Sequence, residues 1–113
     1  MSEYAFEQQA RATLDAVEAS LERLVDSTDL DLDLDLERQG NVITLTFADD
    51  SQLIVNSHSS AGEIWVAARS GGFHYRRVNE GWVDGRSGEE LFAALSRLVS
   101  LQSGATVQLA PPG

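Results

Sequence analysis

The run Asp29-Leu30-Asp31-Leu32-Asp33-Leu34-Asp35-Leu36 constrains this chain more than any other segment. Its apolar and charged residues alternate without exception, and a period of two belongs to a half-buried strand, with leucines on one side and aspartates in water. The preceding segment obeys a different period. Phe6, Ala10, Leu14, Val17, Leu21 and Leu24 recur every three or four residues, so residues 3–26 read as one amphipathic helix. The chain therefore passes from helix to sheet near residue 28, and the sheet begins with a strand that has one wet face.

Beyond residue 41 the chain reads as an antiparallel meander. Val42–Phe47 places Ile43, Leu45 and Phe47 on one face, and Asp49-Asp50-Ser51 turns the chain. Gln52–Asn56, Glu63–Arg69, Gly72–Val78 and a short Gly81–Val83 continue it. Turns are expected at Gly40-Asn41, Gly71-Gly72, Asn79-Glu80-Gly81 and Asp84-Gly85. A second helix is expected from Ser87, where Ser87-Gly88-Glu89-Glu90 fits a capping box, with Leu91, Phe92, Leu95, Leu98 and Val99 as its buried face. Gly104 is the expected terminator. The expectation is one α+β domain over residues 1–113. It is a two-layer sandwich in which N- and C-terminal helices cover one face of an antiparallel sheet of five to six strands.

Charge is divided unevenly along this frame. Residues 1–37 carry eleven acids against Arg11 and Arg23, whereas residues 38–113 carry seven acids against six arginines, and lysine is absent. Most of the formal net charge of −10 therefore sits at one end. Such a field repels nucleic acid and anionic lipid and attracts cations or basic proteins. No apolar run approaches the length of a membrane span, and Met1-Ser2-Glu3 does not open a signal peptide, so a cytoplasmic protein is expected. With no cysteine there is no disulfide and no thiolate metal or cluster site.

Enzyme motifs are missing: there is no phosphate-binding glycine loop, HExxH or G-x-S-x-G. His58 and His74 read as ordinary surface residues. The acids are the unusual feature. On the first helix Asp15, Glu18, Glu22 and Asp26 share one face, and on the strand Asp29, Asp31, Asp33 and Asp35 form a row about 6.8 Å apart. One or two aspartates protect a strand edge from pairing with other chains. Four, beside a second carboxylate stripe, suggest a surface of hard oxygen donors suited to Mg²⁺, Ca²⁺, Mn²⁺ or iron, binding weakly and with little selectivity. In Glu63-Ile64-Trp65-Val66-Ala67-Ala68-Arg69, alternation puts Trp65 on the same side as Glu63 and Arg69. Two charges mark that side as facing water, so Trp65 is expected to be substantially exposed, either as an interface anchor or lying flat on the sheet. Trp82 reads as core. Arg69, Arg76 and Arg77 form a small basic spot or line a solvated face.

Taken together, these segments resemble the frataxin family, and within it the bacterial branch. The resemblance rests on the acidic first helix, Val42-Ile43-Thr44-Leu45-Thr46-Phe47, and Leu53-Ile54-Val55-Asn56. It continues through Glu63-Ile64-Trp65-Val66-Ala67, Gly71-Gly72-Phe73-His74-Tyr75, Trp82 and Arg86-Ser87-Gly88-Glu89. It implies a non-enzymatic, mainly monomeric protein of iron–sulfur cluster assembly. Such a protein binds Fe²⁺ and Fe³⁺ weakly on an acidic ridge and docks on the cysteine desulfurase and scaffold machinery. Carried over by position, the ridge is Glu18, Glu22, Asp26, Asp29, Asp31, Asp33 and Asp35, and the partner-binding residues are Asn56, Trp65, Arg69 and His74. Ala19 and Arg23 stand where relatives often have acids, and Glu63 replaces the amide that usually precedes the Ile-Trp pair. Two other readings stay open: an acidic adaptor that binds a basic protein without metal, and a hydrolase using His58 or His74.

Overall fold

The computed structural model describes residues 3–27 and 33–111. Helix α1 spans Glu3–Val25, and six strands come after it: β1 Asp35–Gln39, β2 Val42–Thr46, β3 Gln52–His58, β4 Glu63–Ala68, β5 Gly71–Val78 and β6 Gly81–Asp84. Helix α2, Leu91–Ser103, closes the order. The strands pair antiparallel with their sequence neighbours in the order β1-β2-β3-β4-β5-β6, and both helices lie on one face. The expected α+β sandwich is the observed one.

The covered face is built by alternation. Ile43, Leu45, Leu53, Val55, Ile64, Val66, Tyr75 and Trp82 point toward the helices, each at most 2% exposed. They meet Leu14, Val17 and Leu21 of α1 and Leu91, Leu95, Leu98 and Val99 of α2. Each such aliphatic side chain contributes about 1.5–3 kcal/mol on leaving water. Trp82 donates its indole N–H to Thr13 Oγ1 at 2.7 Å and meets Phe6 edge-on at 5.8 Å. Burial pushes the Tyr75 phenol up from its ordinary range.

Several boundaries differ from the sequence expectation. The alternating tract enters the sheet at Asp35, because β1 pairs from Asp35↔Thr46 to Gln39↔Val42 and β2 ends at Thr46. Asp33 and Leu34 precede β1 outside regular structure, and Asp29 and Asp31 lie outside the described residues. Gly71 and Gly72 are in β5, and the turn falls on Arg69-Ser70, since Ala68 pairs with Gly71. The capping box is also displaced. Glu90, not Ser87, caps α2, accepting the N–H groups of Phe92 and Ala93 with an extended backbone that also bridges Val83. Ser87 is engaged elsewhere, donating to Asp84 Oδ2 and accepting the Glu89 N–H. Gly104 does end the helix, in the left-handed conformation at φ 79°. The tail beyond it is latched to α2 by Ser96, which accepts the Leu109 N–H at 2.8 Å, and Ser100, which accepts that of Val107 at 2.8 Å.

Candidate cation-binding and docking surfaces

The acids fall into two sets because β1 has two faces. Arg38 and Leu36 stand opposite Ile43 and Leu45 and so point to the helix side. There the Arg38 guanidinium lies 2.7 Å from Asp15 Oδ1 and 2.8 Å from Glu18 Oε1 of α1. The hydrogen bond to Glu18, with Asp15 adding to it, holds the guanidinium above its ordinary value. Two of the four helix carboxylates thus share one cation that the acidic pattern did not reveal. Glu22 and Asp26 are exposed and have no ion pair among the described residues.

Asp35 and Glu37 have the opposite parity. They face away from the helices, opposite Thr46 and Thr44, and Asp33 precedes them. The helix carboxylates and the strand carboxylates therefore flank β1 rather than forming one row. Among the described residues no three acidic or histidine side chains converge as a metal cage. What remains is a set of spaced, exposed oxygens, a geometry that concentrates cations by field more than by chelation.

The second surface is the sheet face that the helices leave uncovered. Its cross-strand rows are set by the register. Val42, Asn56, Trp65 and His74 stand side by side, and Thr44, Ile54, Ala67 and Gly72 form the next row. His58, Glu63, Arg76 and Val83 form a third. Trp65 is half-buried rather than openly exposed, because its neighbours close around it. The His58 ring stacks on the indole at 3.7 Å and 19°, and the His74 ring at 4.5 Å and 9°. Glu63 Oε1 accepts the Trp65 indole N–H at 2.9 Å, and Oε2 accepts Arg76 Nε at 2.9 Å. Glu63 lies on the uncovered face, as alternation expects, yet it is only 9% exposed. The indole N–H, then the Arg76 guanidinium, hold its carboxyl below the ordinary carboxylate range.

Of the expected partner-binding residues, Asn56, Trp65 and His74 come together and Arg69 does not. Arg69 sits in the β4–β5 turn, ion-paired with Asp49 and bonded to Ser51. Nor do the three arginines make one basic spot. Arg76 binds Glu63 on the uncovered face, and Arg77 lies 5.5 Å from the Trp82 ring on the helix side. Sequence reasoning misses His58, Glu63 and Arg38 as organisers. The His58–Glu63 and Trp65–His74 pairings are fixed by hairpin register, which residue-type patterns along one strand do not show.

Comparison with known proteins agrees with this architecture. A family model described as "Frataxin-like domain" matches residues 1–105. The iron-sulfur cluster assembly protein CyaY of Janthinobacterium sp. (strain Marseille) is 51% identical over 110 residues, covering 96% of each chain. Frataxin from Psychromonas ingrahamii superposes with a TM-score of 0.83 at 30% identity, covering 97% of this chain and 99% of that one. Trimeric frataxin from the yeast Saccharomyces cerevisiae, complexed with ferrous, superposes with a TM-score of 0.72 at 28% identity over 85% of this chain and 86% of its own. An acidic helix and strand packed against a meander with a tryptophan at the centre of its uncovered face, matched over nearly the whole chain, place this protein in the frataxin family.

Proposed function

We propose that the protein is an accessory factor of iron–sulfur cluster assembly, not an enzyme, that binds Fe²⁺ and Fe³⁺ weakly and docks on the cysteine desulfurase as iron donor or regulator. The observation that carries the reading is the likeness, over 96% of both chains, to a protein named for that assembly process. In this reading the cation surface comprises Glu22, Asp26, Asp29, Asp31, Asp33 and Asp35, with Glu18 contributing only when Arg38 releases it. Iron bound to exposed, monodentate carboxylates is cargo, held weakly enough to leave. Asn56, Trp65 and His74 form the short-range contact, and the acids steer a basic partner surface toward the β1 end of the same face. A yeast relative captured with ferrous iron supports the choice of metal. The expected setting is the cytoplasm; no helix among the described residues is long and apolar enough to cross a membrane. The expected state is mainly monomeric.

A second reading, an acidic adaptor for a basic partner with no metal, is favoured by the Arg38 pairs, which withdraw two carboxylates from cation binding. One experiment separates the two: capture of the cognate cysteine desulfurase with and without Fe²⁺, alongside NMR line broadening by Fe²⁺. Broadening confined to residues 22–35, with iron-modulated capture, is the expected result. Capture with no broadening at low salt selects the adaptor, and the absence of both rejects the proposal.

A further inference from the structure

The Trp65 cluster is organised more tightly than a docking residue needs to be for contact alone. Both faces of the indole are covered by imidazoles, at 3.7 and 4.5 Å, so only its edge remains for a partner. Its N–H is fixed by Glu63, whose other oxygen is fixed by Arg76, and His74 Nδ1 stands 3.6 Å from Glu63 Oε1. Side chains locked in this way lose little entropy on binding. We infer that Glu63, His58 and His74 are the positioning residues of the Trp65 contact, and that protonation of the two imidazoles weakens docking of a basic partner on this face. This inference rests on the docking reading above.

The charges around the cluster decide the sign. β3 contributes His58, β4 contributes Glu63, and β5 contributes His74 and Arg76. β2 and β6 place Val42, Thr44, Gly81 and Val83 beside them and no charge on this face. Arg69, in the turn after β4, is ion-paired with Asp49. Asp35 and Glu37 of β1 lie three strands from Trp65, about 14 Å at ordinary strand spacing, which exceeds the screening length of about 8 Å in physiological salt. With neutral imidazoles, Glu63 and Arg76 cancel and the platform carries no net charge. Imidazole is the side chain that ordinarily gains a proton between about pH 8 and 5. Two protons make the platform dicationic. A docked partner then covers two imidazolium groups, a desolvation that opposes binding, and its own basic surface repels them.

The test has two arms on the full chain. First, the Trp65 indole ¹H–¹⁵N resonance is followed between about pH 5.5 and 8 in wild type, the double variant His58→Gln with His74→Gln, Glu63→Gln and Glu63→Leu. The wild-type resonance should move across this range, and the double variant should abolish that movement. Glu63→Gln, which keeps an acceptor, should hold the indole shift near wild type, whereas Glu63→Leu should displace it. Second, binding to immobilised cysteine desulfurase is measured near pH 6 and pH 8 at fixed ionic strength. Wild type should bind about fivefold more weakly at the lower pH, and the double variant should lose that difference. A pH-insensitive indole resonance, or the same pH dependence of binding in wild type and double variant, overturns the inference. If wild type binds no desulfurase at either pH, the docking reading fails, and the first arm alone decides whether Glu63 and the histidines position Trp65.

Discussion

Ile64 and Trp65 are adjacent in β4, yet they belong to different problems. Ile64 points to the helices and is fully buried among apolar side chains, whereas Trp65 points the other way into a polar cluster of two imidazoles and a carboxylate. On the covered face each residue is placed by transfer from water, a non-directional force that tolerates any apolar group of similar size. On the uncovered face each residue is placed by particular partners across strands. The two faces therefore differ in what a substitution removes: buried area on one side, geometry on the other.

The largest test of that difference compares the neighbours directly. Ile64→Ala should lower unfolding free energy by about 2–5 kcal/mol, the usual cost of emptying a core site. Trp65→Ala should cost less than about 2 kcal/mol, because the lost stacking and one hydrogen bond are surface terms. Urea denaturation of both variants gives the comparison. If Trp65→Ala matches Ile64→Ala, the uncovered face is a second core and its residues serve stability, not docking.

Glu63 sharpens the same contrast through pH. Its carboxyl is held below the ordinary value in the folded protein, by the Trp65 indole N–H first and Arg76 second. A lowered folded pKa means that the stabilisation is present above the unfolded value and disappears as pH falls through the folded one. Wild type should therefore lose stability relative to Glu63→Gln as pH drops below about 4.5, and the two curves should run parallel at neutral pH. Chemical denaturation from pH 3 upward reads the difference; parallel curves throughout would show that Trp65 and Arg76 do not hold the Glu63 carboxyl below its unfolded value.

The legibility of the fold in the sequence obeys the same division. Helix α1, the meander order and the core residues Ile43, Leu45 and Phe47 can be read from periodicity, because burial on one face writes itself as a pattern along the chain. Helix α2 is legible but its cap is not. Ser87 and Glu90 both fit an N-terminal signature, and the choice falls to Asp84, which takes the Ser87 hydroxyl and leaves Glu90 at the helix start. Glu90→Ala should accordingly cost about 1 kcal/mol and Ser87→Ala no more than half as much, measured by thermal or urea unfolding; the reverse order would restore the capping box. The candidate site is legible only in part. Trp65 and the acids stand out as residue types, but Arg38 against Glu18 and His58 against Trp65 join positions 20 and 7 residues apart through tertiary packing and strand register.

The smallest expected effects lie on the two sides of β1. Arg38 is 17% exposed and its partners Asp15 and Glu18 are 61% and 30% exposed, so both carboxylates keep access to water at the rim of the fold. Ion pairs of that kind contribute about 0–1 kcal/mol, and Arg38→Leu should change stability by no more than that, since the leucine recovers some packing against α1. Its effect on cations should be clearer. Removing the guanidinium frees Asp15 and Glu18 and raises the negative charge by one, so broadening by Mn²⁺ or Fe²⁺ should spread from the strand acids back along α1. Asp33→Asn with Asp35→Asn acts on the opposite side, where no cation offsets the carboxylates among the described residues. Repulsion there falls when they are neutralised, and the variant should gain a few tenths of a kcal/mol at low salt, with broadening near β1 reduced. Salt above about 0.5 M should erase both differences. If Arg38→Leu leaves the broadening map unchanged while the double asparagine variant empties it, the strand alone collects cations, and α1 serves the ridge only as the wall against which Arg38 is held.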